Sequence, residues 1–148
     1  DAILAGVRYH NRKQMPGDLS APALSLLKLI RDADKLDILH VIRDVAENDN
    51  YDDHPELMLG KDKIGPPTDA LIREILETRS GSYENVNSLT DLNLLRLTWV
   101  YDLNYQPSLR RLKSRDLYRD LLGTKHPDAR IEMIKDRVRE VLRQIPAA

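Results

Sequence analysis

The chain has 148 residues, the size of one ordinary domain, and its 41% hydrophobic and 32% charged residues place it among globular proteins and away from disordered chains. A formal net charge of −1 argues against nucleic-acid binding driven by overall positive charge, and the absence of cysteine excludes a disulfide framework, a thiolate metal site and a cysteine nucleophile. No apolar run approaches the ~20 residues a membrane span requires and no signal-peptide pattern opens the chain, so a soluble, cytoplasmic protein is expected.

The first helix is expected from about Ala2 to Lys13, with Ile3, Val7 and His10 at i, i+4 and i+7 and with Ala2 and Gly6 beside them. Because this pattern is present in the first residues and no initiator methionine precedes it, the chain reads as starting inside a fold: a processed fragment, a truncated chain, or one with further residues upstream, among which composition does not choose. Met15-Pro16-Gly17-Asp18 favours a chain reversal, after which Ser20 is a candidate N-cap and Pro22 suits the first turn of a long helix ending near Asn48. In that helix the spacing Leu27, Ile30, Asp34, Ile38, Val41, Val45 forms one stripe and puts Asp34 at its centre. The stretch 49–67 is polar, with Pro55, Gly60, Gly65 and a Pro66-Pro67 pair, and reads as an irregular excursion of the kind found beside sites.

A third helix is predicted from Thr68 to about Ser80, with Leu71, Ile75 and Leu76 inward. Ser88 and Asp91 form a capping-box-like pair opening the most apolar helix, about Leu89 to Asn104. A further helix follows Gln106-Pro107 and stops at Gly123, a candidate C′ glycine; the last follows His126-Pro127 and packs through Ile131, Ile134, Val138, Val141, Leu142 and Ile145. No segment alternates with period two. The expectation is one all-α domain over 1–148, a bundle of about six helices.

Few residues are suited to chemistry. A carboxylate on a buried face needs compensation, so Asp34 reads either as the partner of an arginine or lysine on another helix, which burial alone favours, or as a metal ligand. His10, taken singly, is a satisfied core histidine. Together the two offer the mixed imidazole and carboxylate donors of hydrolytic zinc, manganese or iron centres. Arg31 and Asp37 lie one turn either side of Asp34, where Arg31 can neutralise either acid. Lys35 is turned about 100° from the stripe and reads as a solvated lysine, phosphate contact being the minor reading. His40, His54 and His126 receive no role. Arg110, Arg111, Lys113 and Arg115, with Tyr101, Tyr105 and Tyr118 nearby, form a basic cluster whose flanking acids mark a solvated helix face more than a nucleic-acid surface. Trp99 and Tyr101 read as core or interface residues.

The run Leu29-Ile30-Arg31-Asp32-Ala33-Asp34-Lys35-Leu36-Asp37-Ile38, preceded by Ala5-Gly6-Val7-Arg8-Tyr9-His10-Asn11-Arg12, resembles the distal half of an HD-domain metal-dependent phosphohydrolase. The run Trp99-Val100-Tyr101-Asp102-Leu103-Asn104 and the helices after it also resemble the tail of bacterial members. The resemblance implies an all-helical bundle in which Asp34 is the last metal ligand and His10 a second-metal or phosphate contact. It further implies Arg12 and Lys35 at the phosphate, and Arg31 and Asp37 in a supporting shell.

In that family the first histidine and a His-Asp pair precede the His10 segment, and no His-Asp dipeptide occurs in these 148 residues. The chain is thus expected to be the C-terminal portion of an HD domain with an incomplete site. If that site is completed, the implied reaction is hydrolysis of a phosphoester on a small phosphorylated substrate, nucleotides being the first class to test. The ion is divalent, with Mn, Mg, Fe, Zn, Ni and Co undistinguished. No residue is assigned as general acid or base, no membrane partner is expected, and an apolar helix with an aromatic end would suit a homo-oligomer. The alternative is an inactive HD-like binding or regulatory module.

Overall fold

A computed structural model of the protein describes residues 2–146. Its regular structure is helical, and among the described residues there is no strand: the nearest approach is a single bridge between Asp62 and Ser88. The all-α bundle expected from periodicity is therefore what forms. The helices are α1 (Ala2–Tyr9), α2 (Ala21–Asn48), α3 (Asp69–Thr78), α4 (Leu89–Leu97), α5 (Gln106–Ser114), α6 (Arg119–Gly123) and α7 (Ala129–Gln144).

Among the described residues there are seven helices where about six were expected, because the predicted 106–123 helix is broken. Asp116 adopts φ 49° between α5 and α6. The break lets Leu112, Leu117, Tyr118 and Leu121 all reach the core, which an unbroken helix would point in diverging directions. Gly123 is accordingly the last residue of α6 and not a C′ residue. Two other ends also differ: α1 stops at Tyr9, and α4 stops at Leu97 and tightens into a 3-10 turn over Thr98–Tyr101. The Ser88 cap is as expected, its hydroxyl accepting from the Asp91 amide at 3.3 Å, whereas Ser20 has a cap's extended backbone but no side-chain cap bond.

Two apolar clusters hold the bundle. One joins Leu39, Ile42 and Val45 of α2 to Leu97, Val100, Leu112, Tyr118 and Val138. The other joins Leu71, Ile72 and Ile75 of α3 to Leu92, Leu94, Leu95, Ile131 and Ile134. Helices α4 and α7 contribute to both. α1 lies against α2, where a Cβ on Gly6 would collide with the Ile30 side chain.

The buried line of α2 differs from the predicted stripe. It runs through Ala23, Leu27, Arg31, Asp32, Lys35, Leu39, Ile42 and Val45, while Ile30, Asp34, Ile38 and Val41 are only partly covered. Three charged residues occupy the inner face because each meets a partner there, and a long aliphatic stem lets Arg and Lys serve as packing groups. Lys35 is the clear correction: it is 7% exposed and ion-paired, not solvated.

Candidate functional site

Asp32 is 1% exposed and accepts from the Asn104 amide and side chain and the Tyr105 amide, at 2.9 to 3.1 Å. This ties the segment entering α5 to the middle of α2. Its chain neighbour Arg31 donates to Asp102 at 2.7 Å and to the backbone carbonyls of His10 (3.1 Å) and Arg12. Lys35 reaches the same Asp102 oxygen at 2.9 Å. Arg31 thus holds the chain leaving α1 against α2, with Asp102 neutralising two cations from the solvent side. The Nε of Arg31 is buried without a partner.

These contacts frame a cavity of about 720 Å³ whose wall includes His10, Arg12, Arg31, Asp34 and Lys35. Five of the six residues singled out in the sequence therefore meet in one place. Asp37 does not: it is exposed and lies off the cavity wall.

His10 is partly buried, and its Nδ1 lies 2.9 Å from the Val7 carbonyl oxygen. A carbonyl only accepts, so Nδ1 is the donor of this contact and Nε2 is left as the ring nitrogen for a metal or a donor, the arrangement in which a second hydrogen bond orients a ligating histidine. Asp34 is partly buried at the cavity wall. It takes part in no hydrogen bond and no ion pair among the described residues, so the salt-bridge partner expected on burial grounds is not there. Arg31, the expected neutraliser, is committed to Asp102.

Sequence reading missed a second part of the cavity lining, which Arg79, Tyr83, Arg96, Trp99 and Tyr101 form together with Leu92 and Leu95. Arg79 caps α3 in the left-handed region (φ 59°), and its guanidinium lies 5.7 Å from the Tyr101 ring centre. Gly81 follows two residues later. A Cβ there would stand 2.8 Å from both Leu71 and Leu95, so only glycine lets this strip pass so close to α3 and α4. Arg96 is 3% exposed within the most apolar helix. Its only sequence signal was being a lone cation in a run of leucines, and Trp99 and Tyr101 belong to the cavity wall as well as to the packing around the first apolar cluster.

The charges of the wall are unbalanced. It carries six cations, Arg12, Lys13, Arg31, Lys35, Arg79 and Arg96, against three carboxylates, Asp34, Glu56 and Asp102. Lys13 alone among these cations is paired with an acid outside the cavity, reaching Glu74 of α3 at 3.0 Å and Ser82 at 2.8 Å. Burial pushes the Glu74 carboxyl up, but hydrogen bonds from Ser82, Lys13 and Asn85 more than reverse this and hold it down at about 2. At the Tyr83 phenol, desolvation raises the pKa, Arg96 opposes it and Asp34 adds to it, so these three groups share one local field.

His10 and Asp34 are donors of the kinds a divalent ion takes, one with a lone pair oriented by its other nitrogen and one with a carboxylate free of protein donors. The fit is partial. Two donors do not close a shell, and among the described residues no group of three or more His, Cys, Asp and Glu gathers as a metal site would require. Comparisons with family models, with curated proteins and with solved structures give no match for this chain.

Proposed function

We propose that the cavity is the phosphoester-binding part of a metal-dependent phosphohydrolase of the HD type. The observation that carries this reading is the meeting of His10, Asp34, Arg12, Arg31 and Lys35 on one wall of a cation-rich cavity, since the Arg31 to Asp37 string and the His10 segment are what resemble that family. His10 Nε2 and Asp34 would hold a divalent ion, with further donors required beyond these two. When bound, such an ion polarises a phosphoryl oxygen and lowers the pKa of bound water.

The chain's own groups have separate tasks on this reading. Arg31 orients His10 and Arg12 through their carbonyl oxygens, and its pairing with Asp102 keeps it from competing for Asp34. Arg12 is exposed at the wall, has no carboxylate partner among the described residues and lies 5.2 Å from the Tyr9 ring centre, leaving it available to a phosphate. Lys35 supplies positive potential from its buried pair with Asp102. A small phosphorylated molecule, nucleotides first, is the substrate class.

The test is elemental analysis of the purified protein after incubation with manganese, zinc or iron and desalting, with phosphoester turnover assayed alongside. The wild type should retain the ion, and Asp34→Ala should lose it. Equal retention by that variant would end the ligand assignment.

A second reading, an HD-like module that binds without turnover, is favoured by the presence of only two donors and by a sequence without a His-Asp pair. Nucleotide affinity without product would select it.

A further inference from the structure

We propose that Arg96, assisted by Arg79, is a phosphoryl-recognition site in the cavity, taking the multiply charged phosphate of the ligand without any need for metal. The choice of a phosphoryl ligand rests on the phosphoester reading above; the existence of an anion site rests on Arg96 itself.

Arg96 is a buried cation whose protein partners are both uncharged. One Nη donates to Asn93 Oδ1 at 3.3 Å and the other to the Leu57 carbonyl oxygen. Those bonds engage two of the five N–H donors of a guanidinium, and no carboxylate lies within ion-pair distance of it among the described residues. A buried cation left in this state costs several kcal/mol relative to water, so proteins supply a counter-charge. Arg31 and Lys35, equally buried, are given Asp102. At Arg96 the counter-charge is lacking and the neighbouring space is cavity. Burial works to make this guanidinium less basic, with only the Tyr51 and Tyr83 phenols opposing, which again marks an environment waiting for an anion.

The group is also fixed in place. The buried Tyr118 hydroxyl donates to the Arg96 carbonyl oxygen at 2.8 Å, and the Leu57 bond anchors the side-chain tip, so little ordering entropy remains to be lost on binding. Arg79 reaches the same cavity from the left-handed C-cap position of α3 (φ 59°), with its guanidinium over the Tyr101 ring.

Charge selects the ligand class. With Lys13 turned to Glu74, five wall cations face three carboxylates, so a singly charged carboxylate meets only half of the excess, whereas a phosphate ester at about −2 or a polyphosphate matches it. The fork of a guanidinium pairs two phosphoryl oxygens at once.

Inorganic phosphate and tripolyphosphate, titrated calorimetrically in chelator-treated buffer, are the probes, with acetate as the carboxylate control. Tripolyphosphate should bind the wild type more tightly than phosphate, and acetate should not register. Arg96→Gln should weaken binding at least tenfold, Arg96→Lys should recover part of it, and Arg79→Gln, at an exposed position, should weaken it three- to tenfold with folding intact by circular dichroism. If Arg96→Gln does not fold, Arg96→Lys and Arg79→Gln decide the matter. A wild type that ignores both phosphates, a response to acetate equal to that for phosphate, or unchanged affinity in both of those variants overturns the proposal. Because chelator removes metal from the question, phosphate binding that persists while metal retention and turnover fail would sink the hydrolase reading and leave this one standing.

Discussion

Asp32 and Asp34 stand two residues apart on α2 and face different worlds. Asp32 points into the bundle, where the amides of Asn104 and Tyr105 and the Asn104 side chain saturate it, and it serves to fasten the approach to α5. Asp34 stands at the cavity wall with no donor among the described residues. A carboxylate that the fold has fully satisfied has nothing left to offer a ligand, while one left unsatisfied is available for chemistry and contributes little to holding the molecule together. Burial and function are thus separated within a single turn of helix.

The largest expected effect comes from breaking the structural member. Asp32→Ala leaves the Asn104 and Tyr105 backbone amides without acceptors and the Asn104 side-chain amide with only the Asp102 carbonyl, and should destabilise the protein by about 3 kcal/mol. Thermal unfolding should then occur roughly 10 °C lower. A shift of only a degree or two would mean that Asp32 and Asp34 are not as different as their surroundings imply.

Acid extends the comparison to a second satisfied carboxylate. Glu74 is held at about 2, below its ordinary 4.5, by donors that exist only in the folded state. Because the folded pKa is the lower one, its contribution is fully present above about pH 5 and is lost as the pH falls toward 2. A depression of that size corresponds to about 3 kcal/mol, which solvent screening at this partly open site reduces to about 2 kcal/mol. Glu74→Gln should flatten the acid side of the stability curve in that window, and a curve of unchanged slope between pH 5 and 2 would count against it.

The smallest effect is reserved for the cavity member. Asp34→Ala removes no protein hydrogen bond and should move stability by less than about 0.5 kcal/mol in metal-free buffer, as measured by urea denaturation. A loss as large as that of Asp32→Ala would show that Asp34 has a structural partner after all.

Class and element order were legible from periodicity, since α2, α3, α4 and α7 carry strong helical patterns and recognisable caps or prolines. The face of α2 was misread for a physical reason. Counting only apolar residues finds the Leu27-Ile30-Ile38-Val41 line, but the inner face is completed by Arg31, Asp32 and Lys35, whose partners Asp102, Asn104 and Tyr105 lie about seventy residues away. A pairing at that separation leaves no local mark. The same is true of the second part of the cavity lining. His10, Arg12, Arg31, Asp34 and Lys35 were visible through local strings, whereas Arg79 and Arg96 become neighbours of that group only when α3 and α4 fold into the bundle. The break between α5 and α6 was hidden too, because nothing in Arg115-Asp116 breaks a helix intrinsically and the demand for it comes from Leu117 and Tyr118 seeking the core.

The sharing of α4 between the two apolar clusters carries a further consequence. Leu92, Leu94 and Leu95 belong to one cluster, Leu97 belongs to the other, and Arg96 sits at the handover. Neither cluster can melt while α4 remains in place, so the bundle should behave as one cooperative unit, with the slowest amide exchange along α4. An occupant gripping Arg96 would pull on the joint between both halves, and its presence should slow exchange across α3, α7 and the middle of α2 together instead of quieting the cavity rim alone.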